Sequence, residues 1–86
     1  MGFKLIFSEE ASSQLKKMEN IIAKRVLVKL DNTKEDPFQY FERLAGREEY
    51  KLRVGDYRII AKIFPNENNI FIFSIGHRKN IYKKIK

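Results

Sequence analysis

Eighty-six residues allow one domain with a single modest core, and a chain that is 43% hydrophobic and 34% charged has an ordinary globular composition. The absence of cysteine removes disulfides, thiolate metal sites and a cysteine nucleophile, and fits a reducing cytoplasm. The net charge of +7 is segregated: residues 1–50 carry 9 Lys/Arg against 9 Asp/Glu, while residues 51–86 carry 9 Lys/Arg against Asp56 and Glu67 alone. A positive field concentrated in one region attracts a polyanion, and nucleic acid is the commonest one in a cytoplasm. The apolar start of the chain stops at Ser8, too soon for a signal peptide, and no later run is long enough to span a bilayer. A soluble, cytoplasmic protein with no membrane partner is expected.

The first element is a short apolar strand from Phe3 to Phe7. Ser8 followed by Glu9 and Glu10 is a helix start, a capping hydroxyl with carboxylates at the positive end of the dipole. Ala11, Leu15 and Met18 then form one buried stripe. Asn20 is placed to cap a second helix with Ile22, Ala23, Val26, Leu27 and Leu30 on its apolar face. The short break at Glu19-Asn20 predicts two helices packed as a hairpin, with one bent helix as the alternative. From Asp36-Pro37 to Gly46 no period is sustained, so an irregular segment with a single helical turn at 37–42 is expected, its aromatics plugging the core beneath a loop.

Tyr50 to Val54 alternates apolar Tyr50, Leu52 and Val54 with cationic Lys51 and Arg53, the period-two pattern of a strand with one dry face and one wet face. Gly55-Asp56 is a turn signal and Tyr57 to Phe64 reads again as strand, so the pair is a hairpin. With a two-residue turn, Arg53 faces Arg58 and Lys51 lies two residues along. Pro65 to Asn69 is a second turn, and Ile70 to Ile75 is a third strand, apolar on both sides and therefore central in the sheet. Phe71, Phe73 and Ile75 would share one side of it, Ile70, Ile72 and Ser74 the other. The chain closes on Gly76-His77-Arg78-Lys79-Asn80-Ile81-Tyr82 and a basic tail with Lys83, Lys84 and Lys86.

The order is strand, two-helix hairpin, then a three-stranded antiparallel meander: a single α+β domain over residues 1–86, with helices on one face of a curved sheet. Tyr57, Ile59, Ala61 and Ile63 would point at the helices, and Arg58, Ile60 and Lys62 would share the opposite face with Lys51 and Arg53. Like charges gathered on one sheet face are destabilising unless something anionic neutralises them.

One histidine, His77, excludes a histidine-pair ribonuclease, and no His-rich or carboxylate cluster has metal-ligand spacing, so neither a metal nor another cofactor is expected. Cleaving RNA without metal needs a base for the 2′-hydroxyl proton, cations for the phosphorane's extra charge and an acid for the leaving 5′-oxygen. Fixed guanidinium charges and partial burial both push a lysine toward its neutral form, which makes Lys51, beside Arg53 and Arg58, a candidate base. Arg58 and Arg78 suit the phosphate as bidentate donors that stay charged. The competing reading is a set of solvated surface cations.

The stretch YKLRVGDYRIIAKI, followed by an apolar strand and IGHRKNIY, with Leu44-x-Gly46 ahead of the hairpin, resembles the RelE family of toxin ribonucleases within the RelE/ParE superfamily. The resemblance implies a RelE-like fold and a toxin that enters the ribosomal A site and cuts mRNA there by 2′-hydroxyl attack, contacting 16S rRNA. It also implies a cognate RelB-like antitoxin that wraps the toxin and holds it inactive, in an assembly that can reach a hetero-tetramer. Position by position, it gives Lys51 the role of base, Arg58 that of transition-state clamp, Arg78 that of second clamp or acid, and Tyr82 that of stacking on the scissile base. His77 stands where some members have lysine and is an auxiliary phosphate contact or acid. Arg53, Lys62, Lys79, Lys83 and Lys84 complete the RNA-binding set. Two features depart from the family pattern: Glu49 replaces a lysine found in some members, and the Arg78–Tyr82 segment is shorter than in others. The alternatives are a ParE-like gyrase poison without nuclease activity and a non-catalytic module that only binds RNA or antitoxin.

Overall fold

Ser8 organises the N-terminal third of the molecule. The computed structural model describes residues 2–77, and in it strand β1 (Lys4–Phe7) leads through Ser8 into helix α1 (Glu9–Lys17). The Ser8 hydroxyl oxygen accepts from Ala11 N–H at 2.9 Å, the expected cap, and the same hydroxyl donates to Phe73 O at 2.8 Å. The cap is thereby also a rivet between helix and sheet. Helix α2 (Asn20–Asn32) follows after an extended break at Met18 and Glu19. Glu19, not Asn20, takes the capping position, and no side chain bonds the helix end there. Helix α3 (Pro37–Tyr40) is the single turn expected, with proline at its first position.

The strands β2 (Glu42–Arg43), β3 (Tyr50–Val54), β4 (Tyr57–Phe64) and β5 (Asn69–His77) join β1 in one sheet of order β1-β5-β4-β3-β2. The hairpin and the meander form as expected, in an open, curved α+β sheet. Two pairings extend that expectation. β1 runs parallel to β5, and the two-residue β2 adds to the outer edge of β3 beside Tyr50 and Lys51. β4 is the middle strand, with β5 beside it and also flanked on both sides.

The helices cover one face. Ala11, Val26 and Leu30 pack on Ile59, Ala61, Ile70, Ile72 and Ile75, with Leu15, Met18 and Ile63 at the margin. Leu27, expected in this core, is 43% exposed: it follows Val26 by one residue and is turned about 100° from it around the helix. Of the α3 aromatics and their neighbour, only Phe41 is a core plug, whereas Phe38 and Tyr40 are exposed. On the opposite face Ile60 is fully buried beneath Leu44, which the loop between β2 and β3 folds over it.

The alternation expected along β5 breaks at a bulge. Ile60 pairs with Ser74 but Ala61 pairs with Ile72, so Phe73 is the extra residue. Ile75 therefore joins Ile70 and Ile72 in the core, and Phe73 is exposed. Helix α1 holds this bulge in place: Ser74 Oγ donates to Glu10 Oε2 at 3.0 Å, and Ile75 N–H donates to Gln14 Oε1 at 2.6 Å. Gln14→Ala leaves that backbone donor unpaired and is expected to cost about 1–3 kcal/mol, read as a lower urea midpoint at unchanged slope.

Candidate functional site

The turn that joins β3 to β4 sets the geometry of the basic face. Val54 pairs with Tyr57, leaving Gly55 and Asp56 as a two-residue loop, and Gly55 takes φ 59, where a side chain would be strained. The next pair along is Arg53 with Arg58, followed by Leu52 with Ile59 and Lys51 with Ile60. Beside the closing pair of such a hairpin the facing residues share no hydrogen bonds and their side chains approach most closely. Lys51 and Arg58 are diagonal neighbours, within reach of long side chains. Three cations thus meet at the turn end of one sheet face.

Little opposes them there. Arg58 donates to Tyr57 O at a long 3.4 Å, and among the described residues no carboxylate pairs with Arg53 or Arg58. Lys51 lies 3.8 Å from Glu42, whose side chain is 81% exposed, a surface pair of small energetic weight. On the other side of Arg58 stands Gly76, which places no side chain on this face.

A cleft of about 300 Å³ opens beside the cations, lined by Lys51, Leu52, Arg53 and Arg58 together with Glu42, Lys29 and Tyr40. It opens because β2 begins only at Glu42, so that the outer edge of β3 beyond Lys51 has no neighbouring strand. Glu42, Lys29 and Tyr40 were not legible as site residues. Two-residue strands have no period, and nothing in the sequence near Phe38–Phe41 tells a buried aromatic from an exposed one.

The remaining candidates separate. Lys62 is on the same face but four residues from Arg58, about 13 Å along the strand, beside Arg47 and Glu49. Glu49 bonds Arg47 at 3.2 Å, and its own backbone N–H, Arg47 and the charge of Lys62 hold its carboxyl below the usual carboxylate range. That carboxylate offsets charge at the Lys62 end and leaves the turn end alone. The register pairs His77 with Tyr57, ring centroids 5.7 Å apart, on the helix side of the sheet and so away from Lys51, Arg53 and Arg58. Its surroundings there include Gln14, Lys17, Met18, Glu19 and Ile22. Arg78, Lys79, Tyr82, Lys83 and Lys84 lie outside the described residues.

Comparison with known proteins bears on what such a face belongs to. No protein of curated function matches the chain in sequence. Among solved structures, it is similar to a chain of the RelBE2 toxin–antitoxin complex of Mycobacterium tuberculosis (TM-score 0.80, 20% identity, covering 91% of this chain and 100% of that one). It is also similar to a chain of the archaeal RelE–RelB complex of Pyrococcus horikoshii (TM-score 0.79, 21% identity, 93% and 99%). The isolated RelE toxin of Escherichia coli aligns at TM-score 0.76 with 23% identity, over 99% of this chain and 95% of that one. These likenesses establish a RelE fold. The family model describing the ParE toxin of the type II toxin–antitoxin system parDE matches residues 5–82, nearly the whole chain including the hairpin, and the protein therefore belongs to that family, as a toxin of the RelE/ParE type.

Proposed function

We propose that this toxin is an endoribonuclease that cuts mRNA in the ribosomal A site without a metal ion. The observation that carries the reading is the cross-strand pair Arg53–Arg58 with Lys51 on its diagonal, three cations whose nearest carboxylate among the described residues is the exposed Glu42. Repulsion of that kind is relieved when a phosphate enters between the charges.

In the proposed step Lys51 takes the proton of the 2′-hydroxyl. The 2′-oxygen attacks the adjacent phosphorus, the bond from phosphorus to the 5′-oxygen breaks, and that oxygen leaves protonated. Arg58 holds the non-bridging oxygens as charge builds on them, with Arg53 adding to the field. Arg78, as second clamp or acid, and Tyr82, stacking on the scissile base, keep the roles that the sequence resemblance suggests. The products are a 2′,3′-cyclic phosphate and a 5′-hydroxyl end. Contacts to 16S rRNA fall to the basic residues of the second part of the chain, in a cytoplasmic setting. A RelB-like antitoxin is the inhibitory partner, supported by the toxin–antitoxin complexes in which similar chains occur, and a hetero-tetramer is the assembly proposed.

The test is to induce the toxin and map mRNA ends. New 5′-hydroxyl ends within translated codons are expected. A second reading rests on the family description, which names a parDE toxin: a gyrase poison. Unchanged mRNA ends together with inhibited supercoiling by purified gyrase would establish that reading instead.

A further inference from the structure

The cleft at the open edge of β3 joins the cation face to an aromatic that the fold leaves unused. Three aromatics stand close together at α3, and two have structural partners. Phe41 is 5% exposed in the core, and Phe38 meets the Tyr50 ring edge-on at 5.8 Å. Tyr40 has neither role; it is 43% exposed and lines the cleft with Lys51, Arg53 and Arg58. From α2, Lys29 Nζ stands 6.0 Å from the centre of the Tyr40 ring, a cation–π distance. Four cations, one aromatic face and one exposed carboxylate surround a space at the lower end of the range for small-ligand pockets, about 300–1,000 Å³.

A solvated tyrosine would need no such neighbours. A ring standing in a positive cleft matches the way single-stranded nucleic acid is held, by cations along the backbone and an aromatic beneath a base. We propose that Tyr40 and Lys29 form a nucleotide subsite, in which the base next to the phosphate held by Arg53 and Arg58 stacks on Tyr40 and Lys29 supports the ring and the flanking backbone. The subsite rests on the reading of the cation face as an RNA site. Tyr40 enters the cleft from α3, at the outer edge of the sheet. Stacking accepts every base, so the subsite adds affinity and positioning with little sequence preference.

The test uses a 2′-O-methyl RNA hexamer, which lacks the attacking hydroxyl, carrying 2-aminopurine at successive positions. Tyr40→Ala is expected to weaken binding about 5- to 150-fold and to remove the fluorescence quenching seen at one position. Tyr40→Phe and Tyr40→Trp should retain both, and tripolyphosphate, an anion without bases, should bind Tyr40→Ala as it binds the wild type. Wild-type affinity and quenching in Tyr40→Ala would overturn the subsite. So would equal losses in Tyr40→Ala and Tyr40→Phe, equal weakening of tripolyphosphate, or loss of antitoxin binding with RNA binding intact. Failure of the nuclease reading is recognisable separately: wild-type toxin that quenches the hexamer through Tyr40 but makes no mRNA ends keeps the subsite and loses the enzyme. Toxin whose mRNA cleavage and hexamer binding both ignore Tyr40→Ala keeps the enzyme and loses the subsite.

Discussion

Arg58→Ala is expected to lower mRNA cleavage about 10²–10³-fold, the effect of removing one preorganised donor to a developing oxyanion, and to abolish growth inhibition on induction. Arg58 is half-buried on β4, the middle strand, with Arg53 facing it on one side and Gly76 on the other. Its backbone is fixed by two ladders, so truncation removes a guanidinium without moving the strand. Copurification with antitoxin should persist, which separates lost chemistry from lost folding. Lysine is a poor replacement, because a point charge does not reproduce bidentate contact with phosphate oxygens. Arg78→Ala is expected to act in the same direction. Growth inhibition and mRNA cleavage at the wild-type level in both variants would remove the arginine clamp from the mechanism.

Lys51→Met is expected to reduce cleavage about 10²–10⁴-fold, the range for loss of a positioned base. The informative comparison is Lys51→Arg. A guanidinium keeps the charge but does not give up its proton in the working pH range, so it restores RNA binding and not turnover. Single-turnover rates on programmed ribosomes, beside hexamer affinity, divide the two contributions. The salt slope of binding should fall by about 1 in Lys51→Met and be regained in Lys51→Arg. Cleavage restored by arginine would recast Lys51 as an electrostatic partner and leave the base to another group.

Much of this geometry follows from local signals. Gly55-Asp56 between two alternating runs determines the hairpin register, and with it the facing of Arg53 and Arg58. Ser8 with two carboxylates behind it specifies the start of α1. Less legible was whatever depends on distant contacts. The extra residue Phe73 is invisible in a run apolar on both sides, yet one residue of slip sends every later side chain to the other face, and that is why Ile75 enters the core and His77 leaves the cation face. Burial of Ile60 depends on Leu44 folding back across the sheet, and exposure of Tyr40 on β2 beginning only at Glu42, opposite Lys51.

The facing arginines also bear on how far such a molecule can be hardened. A surface optimised for thermal resistance would place threonine or opposite charges across that rung, and the protein instead keeps two guanidiniums where proximity is greatest. On the proposed mechanism, engineering that reshapes this rung for durability is expected to yield a sturdier molecule at the expense of its poison, the trade-off of a working surface held away from its own energetic optimum.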